Sequence, residues 1–246
     1  LNFFKKDLRL IFLDIRHNTG RLILKKYNPI NPTYSVYVFR YFKNLLRRRN
    51  LNNSAYKAIT EINLEKKFIY FPLHFEPERT TNPDGNDFHD QFIAITKIRE
   101  FLPLDVNIIV KEHPTQLRSY FKRGVWGRSP LFYNLIKNIK GVQIVHPDFN
   151  SLELIKKAMF VCSITGTVAL ESAILGKKAI TFGSTYFDGC PNIFKWNQEL
   201  TLNEVLTAKV SKTSLVEDFL ISKKRKFCSI GFQNGSQRDF FKKYQN

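Results

Sequence analysis

The sequence predicts an α/β fold, a Rossmann-like parallel sheet preceded by a mostly helical connector. From Lys66 onward, apolar runs of four or five residues alternate with longer amphipathic stretches, the order typical of βαβ units. The 246 residues are 43% hydrophobic and 24% charged, which indicates a globular protein with a sizeable core. No apolar run approaches the roughly 18–20 residues that a membrane-spanning helix requires.

Five strands are predicted where apolar runs end at a proline or polar residues. They are Phe68–Phe71, Val106–Val110, Val142–Val145, Phe160–Ile164 and Ala179–Phe182. Helical spacing of apolar residues predicts helices over Asp87–Phe101, Leu131–Ile139, Ser151–Ala158 and Thr167–Leu175. Strands separated by helices of this length are expected to pair in parallel.

Composition divides the chain into three parts. Residues 1–63 alternate apolar and basic residues and predict a helical connector; residues 64–208 carry the βαβ pattern; residues 209–246 predict a basic helical tail. Lysine and arginine exceed acids by 11 in residues 1–60 and by 6 in residues 209–246, but by only 1 in between, out of a total of +18. A nucleic-acid module usually carries its charge on the reading domain, so the basic flanks are better suited to anionic lipid or to solvent.

Cysteine content and the amino terminus point to the cytoplasm. The three cysteines, Cys162, Cys190 and Cys228, form no CxxC pair, so neither a disulfide scaffold nor a zinc site is expected. The first residues lack the long apolar centre of a secretory signal, and the absence of an initiator methionine is consistent with a piece of a longer protein.

The strongest local motif follows the fourth predicted strand. Ser163, Thr165, Gly166 and Thr167 form a hydroxyl-rich turn before a helix, an arrangement that can bind a phosphate through backbone N–H groups and hydroxyls. Glu171 lies four residues into that helix, within reach of a ribose. The alternative is that a threonine only caps the helix.

Two other polar segments are expected at the same edge of the sheet. Lys111 and His113 follow the second strand, where Pro114 would hold the chain extended. The segment after the first strand supplies acid, base and anion-binding groups in His74, Glu76, Glu78 and Arg79. A solvated loop and a buried histidine are the structural alternatives.

No cofactor or metal is expected. The sequence contains neither GxxxxGK[ST] nor GxGxxG, and no Asp-x-Asp pair is present to hold a cation at a pyrophosphate.

Four segments together resemble the bacterial capsule and surface-polysaccharide biosynthesis proteins, a group that includes the Kdo-transferring capsule glycosyltransferases. They are Tyr70–Thr81 (YFPLHFEPERTT), Val110–Gln116 (VKEHPTQ), Ser163–Ala173 (SITGTVALESA) and Gly176–Gly183 (GKKAITFG).

The resemblance implies the C-terminal, nucleotide-sugar-binding half of a GT-B glycosyltransferase. It implies that His113 and the Ser163–Thr167 turn bind a CMP- or other nucleotide-linked sugar and that Glu171 faces the ribose. From their residue types and positions, His74, Glu76 and Glu78 are expected to be catalytic, and Arg79 and Lys111 to bind substrate. The implied partners are a nucleotide-sugar donor and a glycan or lipid-linked acceptor, with peripheral contact at the inner membrane. Residues 1–63 are too few for an acceptor domain, so they would be a connector or remnant, and the chain alone would be catalytically incomplete.

Two other functions fit the same sequence. A nucleotide-sugar 2-epimerase would place histidines and carboxylates around the same type of ligand and need no acceptor. A non-catalytic binder of nucleic acid or anionic surfaces would depend on the basic flanks.

Overall fold

The computed structural model describes residues 34–77, 81–118 and 127–227, with no account of the side chains of residues 34–41, 118 and 224–227. Backbone contacts divide the chain into two units, Leu1–Leu46 and Arg47–Asn246. All strands described below belong to the second unit. Residues 1–33 of the predicted connector and residues 228–246 of the predicted tail lie outside the described ranges.

The second unit is built on a six-stranded sheet in which every adjacent pair is parallel. The strands are β1 Phe68–Pro72, β2 Asn107–Lys111, β3 Val142–Val145, β4 Val161–Ser163, β5 Ala179–Thr181 and β6 Ile193–Lys195. Their order across the sheet is β3-β2-β1-β4-β5-β6. The predicted Rossmann-like parallel sheet is confirmed.

Helices of the second unit, with residues 47–58 of a helix that begins in the first, cover both faces of the sheet. In chain order they are α1 Tyr34–Ala58, α2 Gln91–Phe101, α3 Pro114–Arg118, α4 Pro130–Lys137, α5 Ser151–Lys157, α6 Val168–Ile174, α7 Leu202–Thr207 and α8 Thr213–Phe227. Residues of α1, α2, α4 and α7 pack in one apolar core, and residues of α5, α6 and α8 pack in a second core against the opposite face. Strands buried on both faces explain why their sequences are continuous apolar runs instead of alternating ones. Within the described ranges, no helix combines the length and the hydropathy needed to cross a bilayer.

The segment predicted as one helix over Asp87–Phe101 consists of two elements. Asn86–His89 forms a 3-10 helix, and α2 starts only at Gln91. Asp90 between them is extended, and its carboxylate accepts the backbone N–H of Phe92 at 3.0 Å. An aspartate in this position satisfies a free N–H at the helix start, so the N-cap and not the upstream periodicity sets where the helix begins.

Both edges of the sheet are short or covered. Beyond α1, Ile59 bridges Ile144 of β3 in parallel, and the N–H of Thr60 donates to the Ile144 carbonyl at 2.9 Å. At the opposite edge β6, which the sequence did not predict, is only three residues long and none of its residues is fully buried.

The chain order of the strands reverses between β1 and β4. On one side of β1 lie β2 and then β3, and on the other side lie β4, β5 and β6 in that order. In open α/β sheets, this reversal opens a crevice at the carboxyl ends of the two central strands, which is the usual place for a ligand.

The two cores predict a clear contrast between matched leucine truncations. Leu154 in α5 is fully buried, whereas Leu104 is 68% exposed. We expect Leu154→Ala to lower the free energy of unfolding by about 2–5 kcal/mol, since it removes buried methyl groups and leaves a cavity. Leu104→Ala should change it by less than about 0.5 kcal/mol. Urea denaturation of both variants measures the difference, and equal losses would contradict the assigned burial.

Candidate functional site

The chain that leaves β1 is held by the side chain of Gln91 at the start of α2. Its Oε1 accepts the backbone N–H of His74 at 2.8 Å, and its Nε2 donates to the His74 carbonyl at 3.3 Å. The same Nε2 donates to Oε1 of Glu76 at 2.7 Å. A single buried amide therefore takes the place of a strand partner for His74 and also orients the Glu76 carboxylate.

A second glutamine repeats this arrangement two residues further on. Oε1 of Gln116 in α3 accepts the N–H of Glu76 at 2.7 Å, and its Nε2 donates to the Glu76 carbonyl at 3.0 Å. Buried backbone groups require such partners. The two glutamines thus fix residues 74–76 where no adjacent strand pairs with them.

A buried ion pair supports the same segment. The guanidinium of Arg128 lies 3.2 Å from the Glu112 carboxylate, and their side chains are 4% and 2% exposed. Arg128 also donates to the His74 carbonyl at 2.9 Å, while Glu112 accepts the Tyr133 hydroxyl at 2.6 Å and the N–H of His113 at 2.8 Å. A buried pair persists when added hydrogen bonds offset its desolvation. Burial beside Glu112 raises the pKa of Tyr133, which keeps its hydroxyl a donor.

His74 and the turn after β4 meet at the crevice between β1 and β4. His74 Nε2 lies 3.2 Å from Ser163 Oγ and accepts the backbone N–H of Thr165 at 3.3 Å. Ser163 Oγ accepts the N–H of Gly166 at 3.0 Å, so its own hydrogen is available to Nε2. A Cβ on Gly166 would lie 2.6 Å from Ser163 Oγ, which explains the glycine in this turn. We refer to these four residues as the His74 cluster.

The His74 ring is neutral at physiological pH. Burial, with smaller contributions from the charges of Arg128 and His113, lowers its pKa to about 4. Because Nε2 accepts a backbone N–H, the single ring proton is assigned to Nδ1. The ring therefore acts as an acceptor toward the turn and as a donor from its other nitrogen.

Three other predicted residues, Thr167, Glu171 and His113, are more exposed than His74 and Ser163. Thr167 is the N-cap residue of α6, but its side chain makes no capping bond; its hydroxyl donates instead to Glu171 Oε1 at 3.4 Å. His113 lies close to Phe75, with ring centroids 6.0 Å apart, and its Nδ1 accepts the N–H of Thr115 at 3.2 Å. These residues bring a hydroxyl, a carboxylate and an imidazole to the same sheet edge as the His74 cluster.

Lys111, by contrast, is occupied within the fold. Its ammonium donates to the Phe149 carbonyl at 2.7 Å and to Ser151 Oγ at 2.5 Å. Burial lowers the pKa of Lys111. These contacts join the end of β2 to the start of α5. Two other predicted residues, Glu78 and Arg79, lie outside the described residues.

A cleft of about 340 Å³ opens beside Glu76. Gln91 and Arg128 form part of its wall, together with the exposed residues His89 and Asp90. The volume is at the lower end of the range for ligand pockets. The Glu76 carboxylate, held by Gln91, is thus placed at an opening on the surface of the domain.

Sequence reasoning missed Gln91, Gln116 and Arg128 as residues that build the site. One of them left a readable signal, since Gln91 occupies the buried stripe of α2 with Ala94, Ile95 and Ile98. A polar residue on such a stripe needs a specific partner. Gln116 and Arg128 left no comparable signal, because the backbone groups that they bind, those of Glu76 and His74, are distant in sequence.

A family model described as "Capsule polysaccharide biosynthesis protein" matches residues 23–206, which include the His74 cluster, Glu76, His113 and Glu171. The chain belongs to this family. The match extends beyond the four segments that carry the resemblance in the sequence, and it spans all six strands.

Individual relatives are more distant. Protein FixF of Sinorhizobium fredii is 26% identical over 161 residues, which cover 64% of this chain and 37% of FixF. Two structures from Thermosulfurimonas dismutans KpsC are similar in part. The beta Kdo 2,7 transferase has a TM-score of 0.44 at 18% identity, covering 70% of this chain and 52% of that one. The beta Kdo 2,4 transferase has a TM-score of 0.42 at 14% identity, covering 72% and 53%. The chain thus spans between about a third and half of the length of these proteins.

The low pKa of His74 predicts a loss of stability in acid. The folded protein binds fewer protons at this site than the unfolded chain between pH 6.5 and about 4. The free energy of unfolding therefore falls as the pH decreases through that window, by about 3 kcal/mol in full. Urea unfolding from pH 8 to pH 4 should show this loss in the parent protein and a smaller one in His74→Gln.

The exposed His89 provides the control for that experiment. His89→Gln removes an exposed imidazole and leaves His74 in place, so the loss of stability in acid that is assigned to His74 should persist in this variant. An identical pH dependence in the parent protein and His74→Gln would contradict a buried, neutral His74.

Gly166→Ala should destabilise the turn through one identifiable contact. The added methyl group would lie 2.6 Å from Ser163 Oγ and 3.2 Å from His74 Cε1. Overpacking of this kind costs about 1–3 kcal/mol. In a Ser163→Ala background the closest atom is gone, so the same substitution should cost less. A double-mutant cycle in urea measures this coupling, and strictly additive effects would refute the proposed contact.

Proposed function

We propose that this chain provides the nucleotide-sugar-binding part of a glycosyltransferase of GT-B type that acts in bacterial surface polysaccharide biosynthesis. Residues 64–208 would form the donor-binding domain, with residues 1–63 as connector and residues 209–246 as basic tail. The donor would carry CMP or another nucleotide. Membership of the capsule polysaccharide biosynthesis family supports this assignment.

The observation that carries the proposal is the His74 cluster at the point where the strand order reverses. His74 after β1 contacts Ser163 and Thr165 after β4, so two neighbouring strand ends combine in one polar site. Parallel α/β sheets bind nucleotides at this point. A neutral imidazole with its proton on Nδ1 can donate a hydrogen bond to a phosphate oxygen.

The roles follow from the position of each group. The phosphate of the donor would bind at the carboxyl ends of β1, β2 and β4. To it we assign the turn residues Ser163, Thr165, Gly166 and Thr167 together with His113. We also assign His74 to it, in place of the catalytic role expected from the sequence, because its Nδ1 carries a proton beside the turn. Because the N–H groups of Thr165 and Gly166 and the Ser163 hydroxyl are hydrogen-bonded within the cluster, the donor held in place here is the Nδ1–H of His74. It would stabilise the negative charge that develops on the leaving nucleotide. Glu171, hydrogen-bonded to Thr167, would accept hydroxyl groups of the ribose.

The carboxylate of Glu76 is assigned to acid–base work on the sugar or acceptor. It borders the cleft of about 340 Å³, and Gln91 fixes its orientation. Carboxylates are common proton-transfer groups when they are held in position. Glu78 and Arg79 follow in the same segment and are assigned to the same side of the reaction. Lys111 would support the site indirectly, by holding the segment between β3 and α5.

The acceptor would be a glycan or a lipid-linked glycan at the cytoplasmic face of the inner membrane. The support for this is the charge distribution, with an excess of 11 basic residues in residues 1–60 and of 6 in residues 209–246. Each basic residue contributes about 1 kcal/mol near an anionic bilayer.

Calorimetric titration of the chain with CMP, CDP and UDP tests the proposal. At least one of them should bind, and Thr165→Val should weaken that binding about 10- to 100-fold, since hydrogen bonds to charged groups contribute about 1.5–3 kcal/mol. The matched control is Thr207→Val on the exposed surface of α7, which should bind like the parent protein.

Binding of none of the three nucleotides, or equal binding by Thr165→Val, would contradict the phosphate site. Incubation with a nucleotide sugar in the absence of acceptor addresses the reaction type. Conversion of the sugar to its epimer under these conditions would show that the protein is an isomerase and would contradict the proposed transferase activity.

A further inference from the structure

A second and larger cavity, of about 590 Å³, lies along α2, outside the residues assigned to the nucleotide. Its apolar lining comes from Phe88, Phe101, Trp196 and Leu200, which we call the aromatic groove. All four side chains are half-buried, so each presents part of its surface to solvent. The volume falls within the range of small-molecule sites, about 300–1,000 Å³.

The aromatic rings of the groove are held in place by one another. The Trp196 ring stacks on Phe182 with centroids 4.8 Å apart and meets Phe101 edge-on at 5.2 Å. Phe88 lies 4.7 Å from Phe182 in the same cluster. Such contacts each contribute about 0.5–1.5 kcal/mol beyond burial and define the ring positions before any ligand binds.

Exposed polar groups form the rim of the groove. Asp87 and Gln198 border it, as does the ion pair of Lys97 with Glu100, whose charged atoms are 2.8 Å apart. Oδ1 of Asn197 accepts two backbone N–H groups, from Glu199 and Leu200, which directs its NH₂ group outward as a donor. The rim therefore offers two carboxylates, one ammonium and two amides.

This combination selects one class of ligand. The two carboxylates and one lysine leave a net charge of −1, which disfavours nucleotides and polyanionic glycans. A purely apolar ligand would desolvate the rim without replacing its hydrogen bonds. A neutral saccharide suits both the aromatic lining and the polar rim, because its C–H faces pack on aromatic rings while its hydroxyl groups form hydrogen bonds with carboxylates and amides.

The groove is joined to the His74 cluster through Phe182, which contacts residues of both, and through its neighbour Gly183. The N–H of Phe182, which packs against Phe88 and Trp196, donates to the Ser163 carbonyl at 3.1 Å. At Gly183, a Cβ would lie 2.5 Å from the Asp84 carbonyl and 2.6 Å from Thr165 Cγ2, so the segment before Phe88 lies directly against the turn.

We propose that the aromatic groove binds neutral sugar residues of the acceptor glycan, next to the site of transfer. That the saccharide is the acceptor rests on the proposed function. That the groove binds a saccharide depends only on the residues that line it.

The test uses the full chain with Trp126→Phe, which leaves Trp196 as the sole tryptophan. An array of neutral bacterial oligosaccharides of three to five residues, with sialylated oligosaccharides of equal length beside them, identifies the probe. We expect at least one neutral oligosaccharide, and no sialylated one, to bind at 1 mM or below and to change the Trp196 fluorescence. Asp87→Ala should weaken binding at least fivefold, and Asp105→Ala, an exposed aspartate outside the groove, should leave it unchanged.

Trp196→Ala, checked for folding by its thermal melt and analysed by calorimetry, should weaken binding of the same oligosaccharide at least tenfold. The proposal is overturned if no neutral oligosaccharide binds at 1 mM, or if Asp87→Ala binds like Asp105→Ala. It is also overturned if sedimentation shows a dimer that Asp87→Ala dissociates, which would make the groove a self-association surface. Nucleotide binding measured in parallel separates the two proposals, since loss of saccharide binding alone leaves the donor site intact.

Discussion

The candidate site depends on the hydrogen bonding of three backbone residues at the end of β1. Once β1 leaves the sheet, residues 74–76 have no adjacent strand, yet His74 is buried and its backbone groups must be paired. The side chains of Gln91 and Gln116 each supply one donor and one acceptor, and Arg128 adds a further donor to the His74 carbonyl. The position of the His74 ring, and through it the shape of the turn after β4, follows from this side-chain substitute for a strand.

Charge is used differently inside the domain and at its flanks. The flanks carry most of the excess of basic residues, while inside the domain Arg128 and Lys111 are both committed to structural contacts. Arg128 of the Arg128–Glu112 pair donates to the His74 carbonyl, and its charge adds to the effect of burial in lowering the His74 pKa, so the imidazole stays neutral. A phosphate at the His74 cluster would therefore interact with neutral donors rather than with a buried cation, and long-range attraction would come from outside the domain.

Much of the sheet could be predicted from sequence, because β1 to β5 are apolar runs buried on both faces. β6 could not, since Ile193–Lys195 lies at an edge, is only three residues long and is partly exposed, so it lacks the apolar signal. The polar residues at the strand ends were also predictable as a group. Their pairing was not: whether His74 meets Ser163 depends on β4 lying beside β1, and the order of strands across a sheet is not contained in their order along the chain. Gln116 and Arg128 act on backbone groups distant in sequence, which no local pattern reveals.

The covered and shortened edges of the sheet affect how the protein behaves when concentrated. An exposed edge strand presents unpaired N–H and carbonyl groups that recruit strands from other molecules. Here the Ile59–Ile144 bridge occupies part of the β3 edge, and at the other edge β6 offers three residues that include a lysine. Intermolecular strand addition, the first step toward fibrillar aggregates, thus has little template at either side, although five of the six strands are apolar enough to form such aggregates if they became unfolded.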